Sequence, residues 1–299
     1  MTSAGPLPTF LVIGAAKAGT TTLYEILRQH PQVFLPSTKE PAFFCDDEYY
    51  EQGADWYRRT YFGGAGGRVS GEATSTYLFW SGKVVPRLQH TYGAQLPRII
   101  AIFRDPVALV HSFYWHSVRE GREDLGLPEA LAAEPERLAQ HDAFLRRRGR
   151  IVYSYRQIAR YASHLQPFLA SIPPARRLFL LTEDLRDSGS LVKKLEAFLE
   201  LEQTATLRPV VSNAAALPRS PQLHRWLRGQ SRVKDAAKRL LPRNVRQWLK
   251  ARAIDANLKP FQIPPIDPTI GDNIRRGYAE EMKRLEGIIG RDLSHWYAT

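Results

Sequence analysis

The chain has 299 residues, a single cysteine and a formal charge of +12, with 43% of its residues hydrophobic. That length holds one large α/β domain or two small ones, one being the simpler reading, with an ordinary core. The lone Cys45 excludes an internal disulfide framework and a cysteine-based zinc site, and no stretch approaches the roughly 20 apolar residues that cross a bilayer. The first residues carry no basic flank and lead straight into a strand, so a cytoplasmic location is expected. The positive charge favours acidic ligands without naming them.

Phe10, Leu11, Val12 and Ile13 form an apolar run rich in β-branched residues, which predicts a buried strand. Small residues then predict a turn, and residues 22–29 carry apolar positions at helical spacing. Strand, glycine-bearing turn and helix in that order leave free N–H groups at the positive end of the helix dipole, an arrangement that cradles anions. Lys17 adds a cation and Thr20, Thr21 and Thr22 add hydroxyls, so the expected anion is a phosphate. Gly14 and Gly19 have the separation seen in nucleotide-triphosphate P-loops. In that pattern the lysine follows the second glycine, and here Thr20 stands in its place, so the stretch is a near miss for an ATPase.

Residues 33–36 predict a short extended piece leading to Lys39, Glu40 and Pro41. A residue before proline is disfavoured in a helix, so this is a constrained loop. Phe43 and Phe44 are expected to anchor it, with Lys39 facing the same cleft as Lys17. An aromatic helical stretch over residues 49–57 and a glycine turn over residues 63–67 follow. Val69 is expected to end a short strand, which puts Glu72 at or just past the carboxyl end, the edge along which open α/β sheets bind ligands.

The clearest strand covers residues 97–103 and runs into Arg104, Asp105 and Pro106, with Pro106 suited to the first turn of a helix over residues 107–118. Arg104 then sits at the carboxyl end of a buried strand, and Ser112 lies about two turns into the helix. An arginine fork matches a phosphate dianion in a way lysine does not, and the Ser112 hydroxyl can serve the same group. His111 and His116 read as packing or surface residues. Residues 121–149 read as a surface excursion with short helices, and residues 154–169 as a helix with Tyr155, Ile158, Tyr161 and Leu165 on one stripe. A fourth strand over residues 177–181 leads to Thr182 and to Glu183, expected to satisfy loop amides or an arginine. A helix from Ser188 to Leu199 follows.

Beyond residue 204 no strands are expected: a loop over residues 213–219, basic helices alternating with prolines, and a final helix over residues 272–289. From Arg208 to Arg252 there are 12 Lys/Arg against one acid, Asp235. That run reads as a solvated face, a rim for an acidic acceptor, or a contact for membrane head groups. The expected fold is a three-layer, P-loop-like α/β domain, with a central parallel sheet of four strands between helices and a basic helical insertion or lid at about 205–265.

Three separated motifs together resemble the sulfotransferases that use 3′-phosphoadenosine 5′-phosphosulfate (PAPS). The chain is most similar to the branch holding heparan sulfate N- and 3-O-sulfotransferase domains and their bacterial relatives. Lys17, Ala18, Gly19, Thr20, Thr21, Thr22 and Leu23 match its phosphosulfate loop. Lys39, Glu40, Phe43 and Phe44 are similar to its Lys-Glu-x-x-Phe-Phe loop. Gly71, Glu72 and Tyr77 resemble its Glu-Lys-Thr/Ser-x-x-Tyr segment, except that Ala73 replaces the lysine. Phe103, Arg104 and Pro106 with Ser112 look like the family's 3′-phosphate motif, and weaker matches extend to Trp296.

The resemblance implies a donor held by residues 17–22, Arg104 and Ser112, with Glu72 as base and Lys17 and Lys39 as catalytic cations. No metal is required by such a scheme. The implied acceptor is a hydroxyl, on a saccharide or glycolipid; the basic 208–252 run, this chain's own feature, is expected to offer peripheral membrane contact, and no nucleic-acid partner is expected. Two other readings stay open: a Mg²⁺-dependent P-loop kinase or NTPase, for which Asp105 is the available acid, and a non-catalytic binder of polyanions or membranes.

Overall fold

The computed structural model of the chain describes residues 5–203, 216–218, 252 and 258–298. Its centre is a five-stranded parallel sheet in the order β2-β3-β1-β4-β5. The strands are β1 (Phe10–Gly14), β2 (Val33–Phe34), β3 (Val69–Ala73), β4 (Arg98–Phe103) and β5 (Arg177–Leu181). Every residue of β1 is buried, as is all of β4 after Arg98. Continuous apolar runs of this kind belong to strands covered on both faces. The sheet has one strand more than the sequence reading expects, because the extended piece after the first helix pairs with β3 through Val33 and Phe34.

Helix α1 (Thr20–Arg28) follows β1. The short α2 (Asp47–Tyr50) and α3 (Gly53–Phe62) carry the aromatic cluster in which Phe43 stacks on Tyr57 with ring centres 4.3 Å apart. Helix α4 (Ser81–Tyr92) precedes β4, and α5 (Pro106–Arg119) follows it. Asp105 caps α5 by accepting from the Ala108 N–H at 2.7 Å, with Pro106 in the first turn as expected.

Residues 121–149 differ from the reading of short helices. They contain a single helix of 21 residues, α6 (Leu127–Arg147), which runs through Pro135. The stripe of Tyr155, Ile158, Tyr161 and Leu165 is buried, but only the part from Tyr161 is helical, in α7 (Tyr161–Ser171). Helix α8 (Ser188–Leu199) follows β5. The final helices are α9 (Pro268–Ile289), capped by Asp267 and ended by Gly290, and α10 (Ser294–Tyr297).

Strands do not stop at residue 204. An antiparallel pair joins β6 (Ala216–Pro218) to β7 (Leu258–Pro260). Apart from β6, Arg252 and residues 258–265, the basic run over 208–252 and the proposed lid lie outside the described residues. Among the described residues no helix is long and apolar enough to cross a membrane.

Candidate active site

The site begins where β1 runs out. The loop after Gly14 is pinned to β4 by the Ala15 N–H, which donates to Ile102 O at 2.8 Å. Lys17 adopts φ 68°, and Gly19, the N-cap of α1, adopts φ 112°. Gly19 offers no side-chain cap and the first turn of α1 carries no acid. The N–H groups at that helix start therefore remain available to an anion from outside the chain, and the Thr20–Thr22 hydroxyls belong to the same turn.

Arg104 comes to this loop directly. Its Nη1 donates to the carbonyl oxygen of Lys17 at 3.1 Å, and its own carbonyl accepts from the Tyr161 hydroxyl at 3.0 Å. Ser112, half-buried on α5, stands eight residues further on. Thr182, just past β5, ties the loop from a third side, its Oγ1 lying 2.8 Å from Ala18 O and 3.0 Å from Phe103 O. Its neighbour Glu183 does not satisfy loop amides. The Oε2 of Glu183 is buried without a partner, and Asp184 takes the work, accepting from Leu181 N–H at 2.8 Å and from Arg291 at 2.6 Å.

The Lys39–Phe44 loop and the segment after β3 form one stitched unit. Glu40 N–H donates to Ala73 O at 3.1 Å, Ala42 N–H to Thr74 Oγ1 at 3.2 Å, and Phe44 N–H to the Tyr77 hydroxyl oxygen at 3.1 Å. Glu40 and Ala42 both hold positive φ, 61° and 58°, a conformation non-glycine residues adopt at some cost. The Glu40 carboxylate accepts from Ser75 Oγ at 2.6 Å and Lys39 Nζ at 3.1 Å, and its side chain stays 39% exposed. Burial pulls that carboxyl upward, but the Lys39 charge and the Ser75 hydroxyl together hold it below its ordinary range.

Glu72 stands at the carboxyl end of its strand as expected, but enclosed. Val69 opens β3 rather than ending it, so Glu72 lies inside the strand, opposite Leu11 of β1, with no exposed surface. Neither carboxylate oxygen makes a hydrogen bond of ordinary geometry. Burial raises the carboxyl to about 7, against the nearby Tyr77 and Tyr57 hydroxyls, while the charge of Glu40 adds to the rise. The nearby carboxylate that keeps contact with solvent is Glu40, one residue from Lys39.

Burial lowers the Lys17 ammonium to about 8, helped by Arg119, Arg104 and Lys39 and opposed by Glu120. Arg104 and Lys17 are in direct contact and Lys39 is paired with Glu40; Arg119, the last residue of α5, was not singled out by the sequence. Its signal was helical phase, since it lies two turns beyond Ser112. Asp105, the acid an NTPase would need, is occupied in capping α5. Among the described residues no three His, Cys, Asp or Glu side chains converge as a metal site would require.

A loop at a helix start, an arginine beside it and a lysine between them define a class: an α/β protein built to bind a phosphorylated nucleotide at the carboxyl edge of its sheet. The family follows from comparison. The model of the sulfotransferase domain matches residues 7–216, and the chain belongs to that family. It is 30% identical over 201 residues to mouse heparan sulfate glucosamine 3-O-sulfotransferase 3B1, covering 67% of this chain and 48% of that protein. The human bifunctional heparan sulfate N-deacetylase/N-sulfotransferase 3 is 28% identical over 209 residues, covering 64% of this chain and 22% of that protein. The chain thus spans at most about half the length of these relatives. A crystal structure of a sulfotransferase from Alicyclobacillus acidocaldarius superposes with a TM-score of 0.68 at 26% identity, covering 97% of this chain and 99% of that one.

Proposed function

We propose that this chain transfers a sulfuryl group from PAPS to an acceptor hydroxyl. The observation that carries the reading is the Arg104–Lys17 bond. It sets a guanidinium fit for the 3′-phosphate against the loop fit for the 5′-phosphosulfate, within the span of one nucleotide. Ser112 adds a hydroxyl at the 3′-phosphate, and the N–H and hydroxyl groups from Gly19 to Thr22, with Ala18 and Lys17, receive the 5′ end. In the reaction the acceptor oxygen forms its bond to sulfur as the bond from sulfur to the 5′-phosphate oxygen breaks. The electron pair stays with the leaving phosphate, where Lys17 and the α1 amides meet the added charge.

The acceptor proton goes to a carboxylate. Glu40 is the more accessible candidate, its side chain 39% exposed and paired with Lys39, to which we assign the sulfonate and the acceptor. Glu72 lies behind it, enclosed. The names of the matched relatives refer to sulfation of glucosamine in heparan sulfate, and on that likeness we assign a saccharide hydroxyl, free or in a glycolipid, as acceptor. The basic 208–252 run is the candidate surface for acidic acceptors or a membrane.

The test has two stages. Thermal shift with adenosine 3′,5′-bisphosphate against ATP plus Mg²⁺ separates a PAPS enzyme from a kinase, stabilisation by ATP alone counting against our reading. Labelled PAPS with saccharide and glycolipid pools then reads transfer in wild type, Glu40→Gln and Glu72→Gln. Loss in the first variant alone supports Glu40 as base, and loss in the second alone returns that role to Glu72.

A further inference from the structure

A cavity of about 340 Å³ lies at the edge of the sheet where β2 is the outermost strand, between that strand and the end of α3. Its size falls at the lower end of small-molecule sites, which run from about 300 to 1,000 Å³. The floor is apolar and fixed in place. Val33 and Leu35 are buried, β2 pairs with β3 through Val33 and Phe34, and the Pro36 carbonyl accepts from the Tyr24 hydroxyl at 2.6 Å. Around that floor stand the hydroxyls of Ser37, Thr38, Thr60 and Tyr61, and among the described residues no acid lines the cavity.

Two guanidiniums complete the wall, those of Arg28 and Arg68. Arg68 is held by its own loop: Nε donates to Ala65 O at 3.0 Å and Nη2 to Gly64 O at 2.9 Å, with the guanidinium 5.0 Å from the centre of the Phe34 ring. These bonds use two of its five N–H donors, and among the described residues the others have no partner. Arg28 meets the Glu25 carboxylate through Nε at 3.1 Å and Nη2 at 3.0 Å, while its side chain stays 58% exposed. An exposed pair of that kind is worth little, so Arg28 can turn toward a second anion at small cost. The wall also leads to the reaction site. Lys39 and Glu40 follow Thr38 directly, and two residues of chain span at most about 7 Å.

We propose that this cavity is a specificity subsite for the acceptor: it seats an anionic sugar residue, carboxylate or sulfate against Arg68 and Arg28, beside the residue whose hydroxyl is presented to Lys39 and Glu40. A sugar ring sets its C–H groups on the apolar floor and its hydroxyls against the polar rim. Its anionic substituent meets two guanidiniums, one of them already oriented, and no carboxylate that would repel it from the wall. Arg28 and Arg68 act as positioning residues, selecting the acceptor and fixing which hydroxyl arrives, without touching the reacting atoms. This deepens the acceptor reading above and rests on it.

The test is a calorimetric titration of the whole chain, its donor site filled with adenosine 3′,5′-bisphosphate, with three sugars of one skeleton: cellobiose, its 6′-carboxylate and its 6′-sulfate. Wild type should bind at least one of the acidic sugars about tenfold more tightly than cellobiose, and the two acidic arms tell which anion the wall takes. Arg28→Gln and Arg68→Gln should each cut that preference at least about fivefold, with affinity for cellobiose and for the bisphosphate within about twofold of wild type. Arg28 is exposed at a helix end, so its variant keeps the test readable if Arg68→Gln disturbs the loop that it braces. Thr60→Trp, which fills the cavity from α3, should abolish binding of all three sugars and leave the bisphosphate bound.

Equal affinity for the three sugars, no binding of any, a preference that survives in both glutamine variants, or sugars still bound in Thr60→Trp would each overturn the subsite. Transfer from labelled PAPS, measured beside these titrations, separates the two levels of the claim. Wild type that sulfates saccharides without the acidic preference removes the subsite alone, whereas transfer confined to acceptors that are not saccharides removes the acceptor reading with it.

Discussion

Arg104 bonds the backbone of Lys17, not its side chain: Nη1 reaches the carbonyl oxygen at 3.1 Å, which orients the loop and leaves the rest of the guanidinium fork for a ligand. Arg104→Lys keeps a positive charge but loses both the fork and the reach, so charge alone should not rescue it. Replacing a charged hydrogen bond costs about 2 kcal/mol, so affinity for adenosine 3′,5′-bisphosphate should fall by roughly 30-fold. Calorimetry on the lysine variant checks this, and affinity within about twofold of wild type would show that the fork is not used.

Glu40 and Glu72 separate by what each can touch. Glu40→Gln removes the carboxylate proposed as proton acceptor and one partner of Lys39 and Ser75, and it should lower kcat by at least about 100-fold while the bisphosphate still binds. A single-turnover assay with saturating labelled PAPS reads the chemical step. An unchanged burst rate in Glu40→Gln would remove that carboxylate from the reaction.

The parts of this site visible in the sequence are those made by neighbours in the chain. Gly14, Lys17, Gly19 and the three threonines lie within nine residues of one another, and strand, turn and helix are each local signals. Arg104, Asp105 and Pro106 are likewise a strand end, a cap and a first turn in direct succession. Glu72 was read at the right end of its strand but not as enclosed, because a strand's boundary decides which side chains leave the sheet and which stay inside it. Val69 is the first residue of β3, not its last, and the carboxylate follows inward. The bonds of Thr182 to Ala18 and Phe103 cross 164 and 79 positions, and nothing local announces them. Pro135 reads as punctuation but lies within α6, where tertiary packing outweighs the lost hydrogen bond.

Glu72 should show itself in the pH dependence of stability. Its carboxyl ionises near 4.5 when unfolded and at about 7 in the folded chain. Below 4.5 it is neutral in both states and costs nothing. Between the two values only the unfolded chain ionises, so stability is lost as pH rises, about 3 kcal/mol in all by pH 8. Glu72→Gln removes that loss. Its thermal midpoint relative to wild type should climb by several degrees between pH 5 and pH 8, read by calorimetry or circular dichroism. A difference that is flat across that range would mean the carboxylate is solvated in the folded protein.

Thr182 offers one hydroxyl to two carbonyls, one on the phosphate loop and one at the end of β4. Thr182→Val keeps the shape and deletes the hydroxyl, leaving both carbonyls short of a donor at a cost of about 1 kcal/mol. Loop order should suffer more than global stability, so affinity for the bisphosphate should fall about fivefold with little change in melting temperature, and Thr182→Ser should recover most of it. Equal affinity in the valine variant would assign the hydroxyl to β4 alone.

Gly19 combines two constraints that a double variant can separate. Its φ of 112° is one that residues with a Cβ rarely adopt, and an added Cβ would stand 2.5 Å from Leu185 Cδ1. The Leu185 methyl is the end of a flexible side chain and can move aside, whereas the backbone cannot relax without turning the α1 N–H groups away from the anion. Gly19→Ala should therefore weaken bisphosphate binding by at least about fivefold, reflecting about 1–3 kcal/mol of strain. Adding Leu185→Ala relieves the contact but not the dihedral, so affinity should remain low in the double variant. Recovery to near wild type would place the constraint in side-chain packing and free the loop backbone from the role given to it here.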